Sequence, residues 1–309
     1  MSQPSLHDYM QVGIVQFMIY PQCIGGAGPI IETVSSLAED TFFDFLELGR
    51  INGSAVRKQV ISVLSQARVS VEYDGQPFTL LPGLDLEAEQ PSDRHQAIDA
   101  MKQAIDQAAE FSSPTCGVMS GKFYPRDLNV DAAVGRLTES LVGLCEYAQQ
   151  YGITLCLENF DQTPYSKDCL IGPTAMAAEL AKSVRGSAPN FGLLPDLSHT
   201  PIMNETPRQM VEAADGYIIR TQIGNGSANP YSAHYGDNHP YFGAPLTGVG
   251  IEQLTEFLQG LVDVGFLSKT HRGKVGFEVK PASGEDPLAI IAGSKRALIQ
   301  AWQRVKLPE

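Results

Sequence analysis

Four apolar runs in the second half of the chain each end in one acidic or amide side chain. They are Ile153-Thr-Leu-Cys-Leu-Glu158, Phe191-Gly-Leu-Leu-Pro-Asp196, Tyr217-Ile-Ile-Arg-Thr-Gln222 and Val275-Gly-Phe-Glu278. Their alternation marks strands, because successive side chains of an extended segment point to opposite faces. Ile153, Leu155 and Leu157 fall on one face, and Thr154, Cys156 and Glu158 on the other. Val275, Phe277 and Val279 alternate with Gly276, Glu278 and Lys280 in the same way. In a barrel of parallel strands the first set meets surrounding helices and the second meets the axis. Polar groups repeated at the C-terminal ends of inward faces read as a site rather than as structural groups.

The rest of the chain keeps the same rhythm. Strands are predicted near 11–17, 42–48, 69–81, 115–120, 153–158, 191–196, 217–223 and 274–279. Amphipathic helices are predicted at 92–111, 130–150, 172–184, 251–264 and 286–304. Leu137, Leu141, Leu144, Cys145 and Ala148 form one helical stripe. Pro173, Pro207 and Pro287 fall near helix starts, where a missing N–H does no harm. Alternating strands and helices predict a parallel sheet, and eight such units fit the 309 residues as one α/β domain, a (β/α)8 TIM barrel over 1–309. The first half is less regular, and 69–91 reads as a strand with a long excursion. Residues 224–250 are rich in Gly, Asn, Pro and aromatics and follow the seventh strand. Irregular loops of this length are usually lids or binding loops.

Composition narrows the partners. A net charge of −13 with 22 dispersed basic residues argues against nucleic acid, whose binding needs dense Lys/Arg contacts. No apolar run approaches the roughly 20 residues that span a bilayer. The N-terminal Met-Ser-Gln-Pro-Ser-Leu-His has neither a basic n-region nor a signal-like stretch, so a cytoplasmic protein is expected. Five cysteines without CxxC spacing read as reduced thiols, and Cys156 reads as core rather than nucleophile.

At Leu157-Glu-Asn, Asp196-Leu-Ser-His199, Thr221-Gln-Ile-Gly-Asn and Phe277-Glu-Val-Lys-Pro281 the chain resembles the xylose isomerase-like TIM-barrel superfamily. That superfamily includes ketose 3-epimerases, inosose dehydratases and endonuclease IV. The resemblance is best from about Cys145 onward. It implies that Glu158, Asp196 and Glu278 ligate one divalent metal, with His199 facing substrate or assisting the metal. The family usually carries a histidine where this chain has Gln222, often within His-x-His-Ile-Gly-Asn. Here the segment is Arg220-Thr-Gln-Ile-Gly-Asn, so both histidines are replaced. Gln222 can still ligate through its amide oxygen, and an oxygen-rich shell favours Mn or Mg over Zn or Co. Arg220, two residues earlier, faces the same axis and offsets clustered carboxylates.

The activity implied is proton transfer next to the carbonyl of a small sugar or polyol derivative. A divalent ion stabilises the resulting enediolate, and Glu158 and Glu278 serve as base and acid. Lys280, His239 and Lys122 are the expected substrate contacts. Tyr124, His234 and Asp237 are weaker candidates, and Asp in such a loop is also a common turn former. A rival reading is a lyase on an oxidised sugar, of the inosose dehydratase or C-glycoside deglycosidase kind. Tyr231, Tyr235, Tyr241 and Phe242 would then supply an aromatic surface for an aglycone. A third reading is a non-catalytic sugar-binding barrel, which the retained carboxylates argue against. A homo-oligomer or a small partner subunit is left open.

Overall fold

In the computed structural model, which describes residues 3–121, 129–162 and 167–308, the alternation becomes an eight-stranded parallel sheet. The strands are β1 (Met10–Val15), β2 (Phe45–Leu48), β3 (Ser70–Asp74), β4 (Thr115–Val118), β5 (Thr154–Leu157), β6 (Phe191–Leu193), β7 (Thr221–Ile223) and β8 (Gly273–Phe277). Each is followed by a helix that returns the chain to the starting end. These are α1 (Ile30–Ala38), α2 (Ser54–Ala67), α3 (Pro91–Glu110), α4 (Val130–Gln149), α5 (Thr174–Arg185), α6 (Pro207–Ala214), α7 (Ile251–Asp263) and α8 (Pro287–Trp302). Sheet order runs β6-β5-β4-β3-β2-β1-β8-β7. The remaining seam, between β6 and β7, is joined by the parallel bridges Leu193–Ile218 and Asp196–Gln222. Leu193 N donates to Tyr217 O at 2.8 Å, and Gln222 N donates to Pro195 O at 3.0 Å. Two of the four strand-end residues therefore sit on the seam that closes the barrel.

Helix starts follow local chemistry. Thr206 caps α6 by a reciprocal pair with Gln209, and Pro207 occupies the first turn. Asp286 caps α8 by accepting from Leu288 N. The five expected helices end within two residues of their predicted limits. The longer strands expected at 11–17, 69–81 and 217–223 are shorter than read. Gln16–Ile19 and Pro77–Leu80 turn helical instead, the second starting on a proline that cannot donate to a ladder. Residues 217–219 touch β6 only through the irregular seam. Helix α2 buries only Val60 and Leu64 fully, too narrow a stripe to stand out in sequence.

Ile153, Leu155, Leu157, Val275, Phe277 and Val279 join the apolar shell between strands and helices, as the alternation requires. The axis below the mouth is polar. Lys274 pairs with Glu72, which also accepts from Thr115 Oγ1. One layer higher, Arg220 bonds Glu47 and Asp74, with Arg220 1% exposed and Glu47 fully buried. Gly276 makes room for this layer, since a Cβ there would lie 1.5 Å from Glu47 Oε1. The five cysteines are free and buried, and burial pushes the Cys116 and Cys156 thiols up, so neither supplies a thiolate. Among the described residues no helix is long and apolar enough to cross a membrane.

Removing one partner of a buried ion pair leaves an uncompensated charge, which costs about 3–5 kcal/mol. Arg220→Met should therefore lower the thermal midpoint sharply. Adding Glu47→Gln and Asp74→Asn to it should recover much of the loss. A single variant as stable as the parent in thermal denaturation would show that the pair is not what holds this layer.

Candidate active site

Strands β5 to β8 are consecutive around the closed ring, and they deliver Glu158, Asp196, Gln222 and Glu278 to one arc of the mouth. Each residue lies at or just beyond its strand yet is held by a ladder bond. Glu158 N donates to Val118 O and Glu278 N to Ile223 O, both at 2.9 Å. Carboxylate oxygens of Glu158, Asp196 and Glu278 lie within 4.8 Å of one another. Asp196, His199 and His239 form an overlapping group of the same span.

The surroundings explain the titration of these groups. Burial pushes Glu158 up to about 7, with Asp196 adding to it, while His199 and a 2.6 Å bond from Gln76 Nε2 pull the other way. Glu278 is raised well above the carboxylate range by burial and then by Glu158, Asp196, Asp237 and Asp74. Burial works to lower His199, but Asp196, Asp237 and Glu158 raise it to about 10. Its Nε2 lies 3.2 Å from Asp237, 3.3 Å from Asp196 and 3.6 Å from Glu158, and its Nδ1 is 2.8 Å from Asn159 O. Asp237 is itself held well below its ordinary value. Burial opposes this, and His239, Lys167 and His199 outweigh it.

Gln222 is fixed from below. Its Nε2 donates to Glu47 Oε2 at 2.9 Å, which leaves Oε1 buried without a partner. Glu278 Oε2 and His239 Nδ1 are likewise buried with no hydrogen-bond partner. Such a group costs about 1–3 kcal/mol when left unmade, so a cluster of them calls for a ligand. Carboxylate and amide oxygens with imidazole nitrogen fit a divalent cation. Around this centre Glu47, Asp74, Glu158, Asp196, Asp237 and Glu278 outnumber Arg220 and Lys167, which also favours a cation.

The site opens into a cleft of about 220 Å³. Phe17, Met18, Ile24, Leu80, Leu81 and Phe160 form its apolar wall, opposite Gln76, Glu158, Gln222, His239, Glu278 and Lys280. Lys280 lines the cleft half-buried, and its ammonium makes no bond or ion pair among the described residues. Lys122 and Tyr124 lie outside the described residues. The 224–250 loop carries its own frame, with Asn225 Nδ2 donating to Tyr241 O and Thr247 Oγ1, and Val249 N donating to Asn225 Oδ1. It sends Asp237 and His239 into the site. Its aromatics go elsewhere: Tyr231 is 88% exposed, Phe242 packs on Phe277, and none of the four lines the cleft. An aromatic surface does exist, but Phe17 and Phe160 supply it.

Some site residues carry little sequence signal. Lys167, which pairs with Asp237 and lies 4.6 Å from the Phe160 ring centroid, follows no motif. Asp237 is indistinguishable from a turn former. Asp74, by contrast, ends its strand, and Glu47 lies one residue before the end of its own.

Fold and site together define a TIM barrel with a buried carboxylate centre at the C-terminal mouth of its strands. The family model described as xylose isomerase-like TIM barrel matches residues 52–296, and the chain belongs to that family. No curated protein sequence matches it. Among solved structures, a D-tagatose 3-epimerase-like protein is 19% identical with a TM-score of 0.71, covering 94% of this chain and 98% of its own. An L-ribulose 3-epimerase is 15% identical with a TM-score of 0.73, covering 94% and 95%. A 3-keto-D-glucoside 4-epimerase from E. coli is 16% identical with a TM-score of 0.68, covering 96% and 99%.

The raised values fix how the metal-free protein responds to pH. Glu158 contributes stability that is fully present below its unfolded value near 4.5 and lost as pH rises through about 7. His199 contributes stability present below 6.5 and lost as pH rises through about 10. Asp237, being depressed, contributes throughout this window. The thermal midpoint of chelated protein should therefore fall by several degrees from pH 5 to pH 8. Saturating Mn should oppose the trend, because its ligands bind it deprotonated. A midpoint that is flat or rises with pH in the chelated protein would contradict this account.

Proposed function

We propose that the protein is a divalent-metal-dependent isomerase or epimerase, moving a proton on the carbon next to a carbonyl of a small sugar or polyol derivative. The observation that carries the reading is the pair Glu158 and Glu278. Both are buried, Glu158 is raised to about 7 and Glu278 well above its ordinary value, and they stand at the two ends of one ligand arc facing one cleft. A carboxyl near pH 7 can both take and return a proton, which is what base and acid catalysis require. The similar structures that are sugar 3-epimerases support the same class of chemistry.

Glu158, Asp196, Gln222 and Glu278 would hold the ion. When bound, it supplies positive charge against the negative charge that develops on the sugar oxygens. The protein does the rest. Gln76 orients Glu158 through its 2.6 Å bond, and His199 holds Glu158, Asp196 and Asp237 in place from behind. The unpaired ammonium of Lys280 faces a substrate oxygen. The apolar wall excludes water and packs against the carbon face of the sugar. That wall also favours a second reading, a lyase on an oxidised glycoside, because it can hold an aglycone. Both reactions start with the same proton abstraction.

The test is turnover of metal-loaded protein on free ketoses, inososes and 3-oxo-glycosides in D2O. Deuterium should enter at the carbon beside the carbonyl with formation of an epimer. Glu158→Gln and Glu278→Gln should each lower the rate by roughly 10²–10⁴-fold. Release of an aglycone or water would select the lyase. Activity that survives exhaustive chelation would eliminate the metal-dependent mechanism.

A further inference from the structure

We infer that His239, carried by the loop after β7, ligates the metal through Nδ1 and so supplies the imidazole that the strand end at Gln222 lacks. This rests on the metal-dependent reading above. His239 is 2% exposed, and its Nδ1 is buried without a hydrogen-bond partner. That atom lies 3.9 Å from Asp196 Oδ2. Two donors each about 2.1 Å from one ion stand at most about 4.2 Å apart, so the separation suits a shared cation. The opposite ring nitrogen, Nε2, is 2.7 Å from Asp237 Oδ1. A carboxylate there draws the ring proton to Nε2 and leaves the Nδ1 lone pair bare, the arrangement by which outer carboxylates set a metal-binding tautomer.

The backbone is shaped for this placement. His239 sits at φ +49°, a left-handed conformation that non-glycine residues adopt at a cost. Its carbonyl accepts from Lys280 N at 2.6 Å, which ties the loop to the extension of β8 beside Glu278. Gly224 clears the space near Nδ1, where a Cβ would stand 3.2 Å from it. His199, the other imidazole of the cluster, is differently engaged, with Nδ1 on Asn159 O and Nε2 among three carboxylates. His239 joins the shell through Asp196, the residue shared by the two overlapping groups Glu158–Asp196–Glu278 and Asp196–His199–His239. One nitrogen donor moves the preference from Mg toward Mn and Co.

Full-length apo protein titrated with Mn or Co, by calorimetry and by pulsed electron paramagnetic resonance of the Mn form, tests this. Wild type should show one directly bound nitrogen. His239→Asn removes the imidazole while keeping a residue that tolerates left-handed backbone. It should lose the nitrogen coupling, weaken Co binding by more than 10-fold, and shrink the ratio of Co to Mg affinity. His199→Gln should keep the coupling. Asp237→Asn should keep it too, with affinity reduced by roughly 10–100-fold. A bound ion with no nitrogen in wild type, or coupling that persists in His239→Asn, overturns the assignment and leaves the metal-dependent reading standing. Failure of wild type to bind any divalent ion overturns both. Tight binding through His239 without turnover on any sugar sinks the functional reading alone.

Discussion

The buried guanidinium of Arg220 is the constraint on which the site depends. Taking that charge out of water costs several kcal/mol unless it is paired, and Glu47 and Asp74 pair it. Glu47 has room only because residue 276 has no side chain. The Glu47 oxygen that pairs with Arg220, Oε2, also accepts from Gln222 Nε2 and thereby turns the amide oxygen toward the cleft. A chain of contacts thus runs from Gly276 through Glu47 to the orientation of the Gln222 amide oxygen. Buried ion pairs are weak evidence of stability, but this one fixes which way a neutral amide points. Below the mouth Arg220 and Lys274 are paired with Glu47, Asp74 and Glu72, while carboxylates are in excess at the mouth, where we propose a cation.

Much of this was legible in the chain because the barrel imposes a period. Alternation separated Leu155 and Leu157, which meet helices, from Cys156 and Glu158, which do not, and it did so without knowledge of the neighbours. The same rule extends to Phe45-Leu-Glu47 and Val71-Glu-Tyr-Asp74, where shorter runs made the pattern harder to separate from ordinary amphipathic sequence. The helices with broad apolar stripes were readable for the same reason, and α2, exposed over most of its surface, was not. Loops have no period. Side-chain direction in 224–250 is set by Asn225, Ser227 and the turns they hold, so Tyr231 and Tyr241 are exposed while Asp237 and His239 point inward. Lys167 lies beyond any local rule, since its partner is seventy residues away.

A donor on a strand and a donor on a loop differ in what holds them. Gln222 is positioned by the seam that closes the barrel, so its place is as rigid as the ladder. His239 is positioned by the loop's own frame, by one backbone bond to Lys280 and by the Asp237 carboxylate beside it. Binding at Nδ1 is therefore linked to loop order, and whatever stabilises one stabilises the other by the same amount. Asp237 extends that link, because it also holds His199 and the half-buried Lys167 from the segment after β5. Lifting the loop would leave Lys167 and the site carboxylates without compensation in a poorly hydrated interior, which is costly. Among the described residues the opposite rim, after β1 and β3, carries no such ion pairs. There Ile24 and Leu81 are 38% and 51% exposed beside the turns Gln16–Ile19 and Pro77–Leu80. Access to the cleft is cheapest on that apolar side, so the loop serves to assemble the polar half of the site while the opposite wall meets what enters.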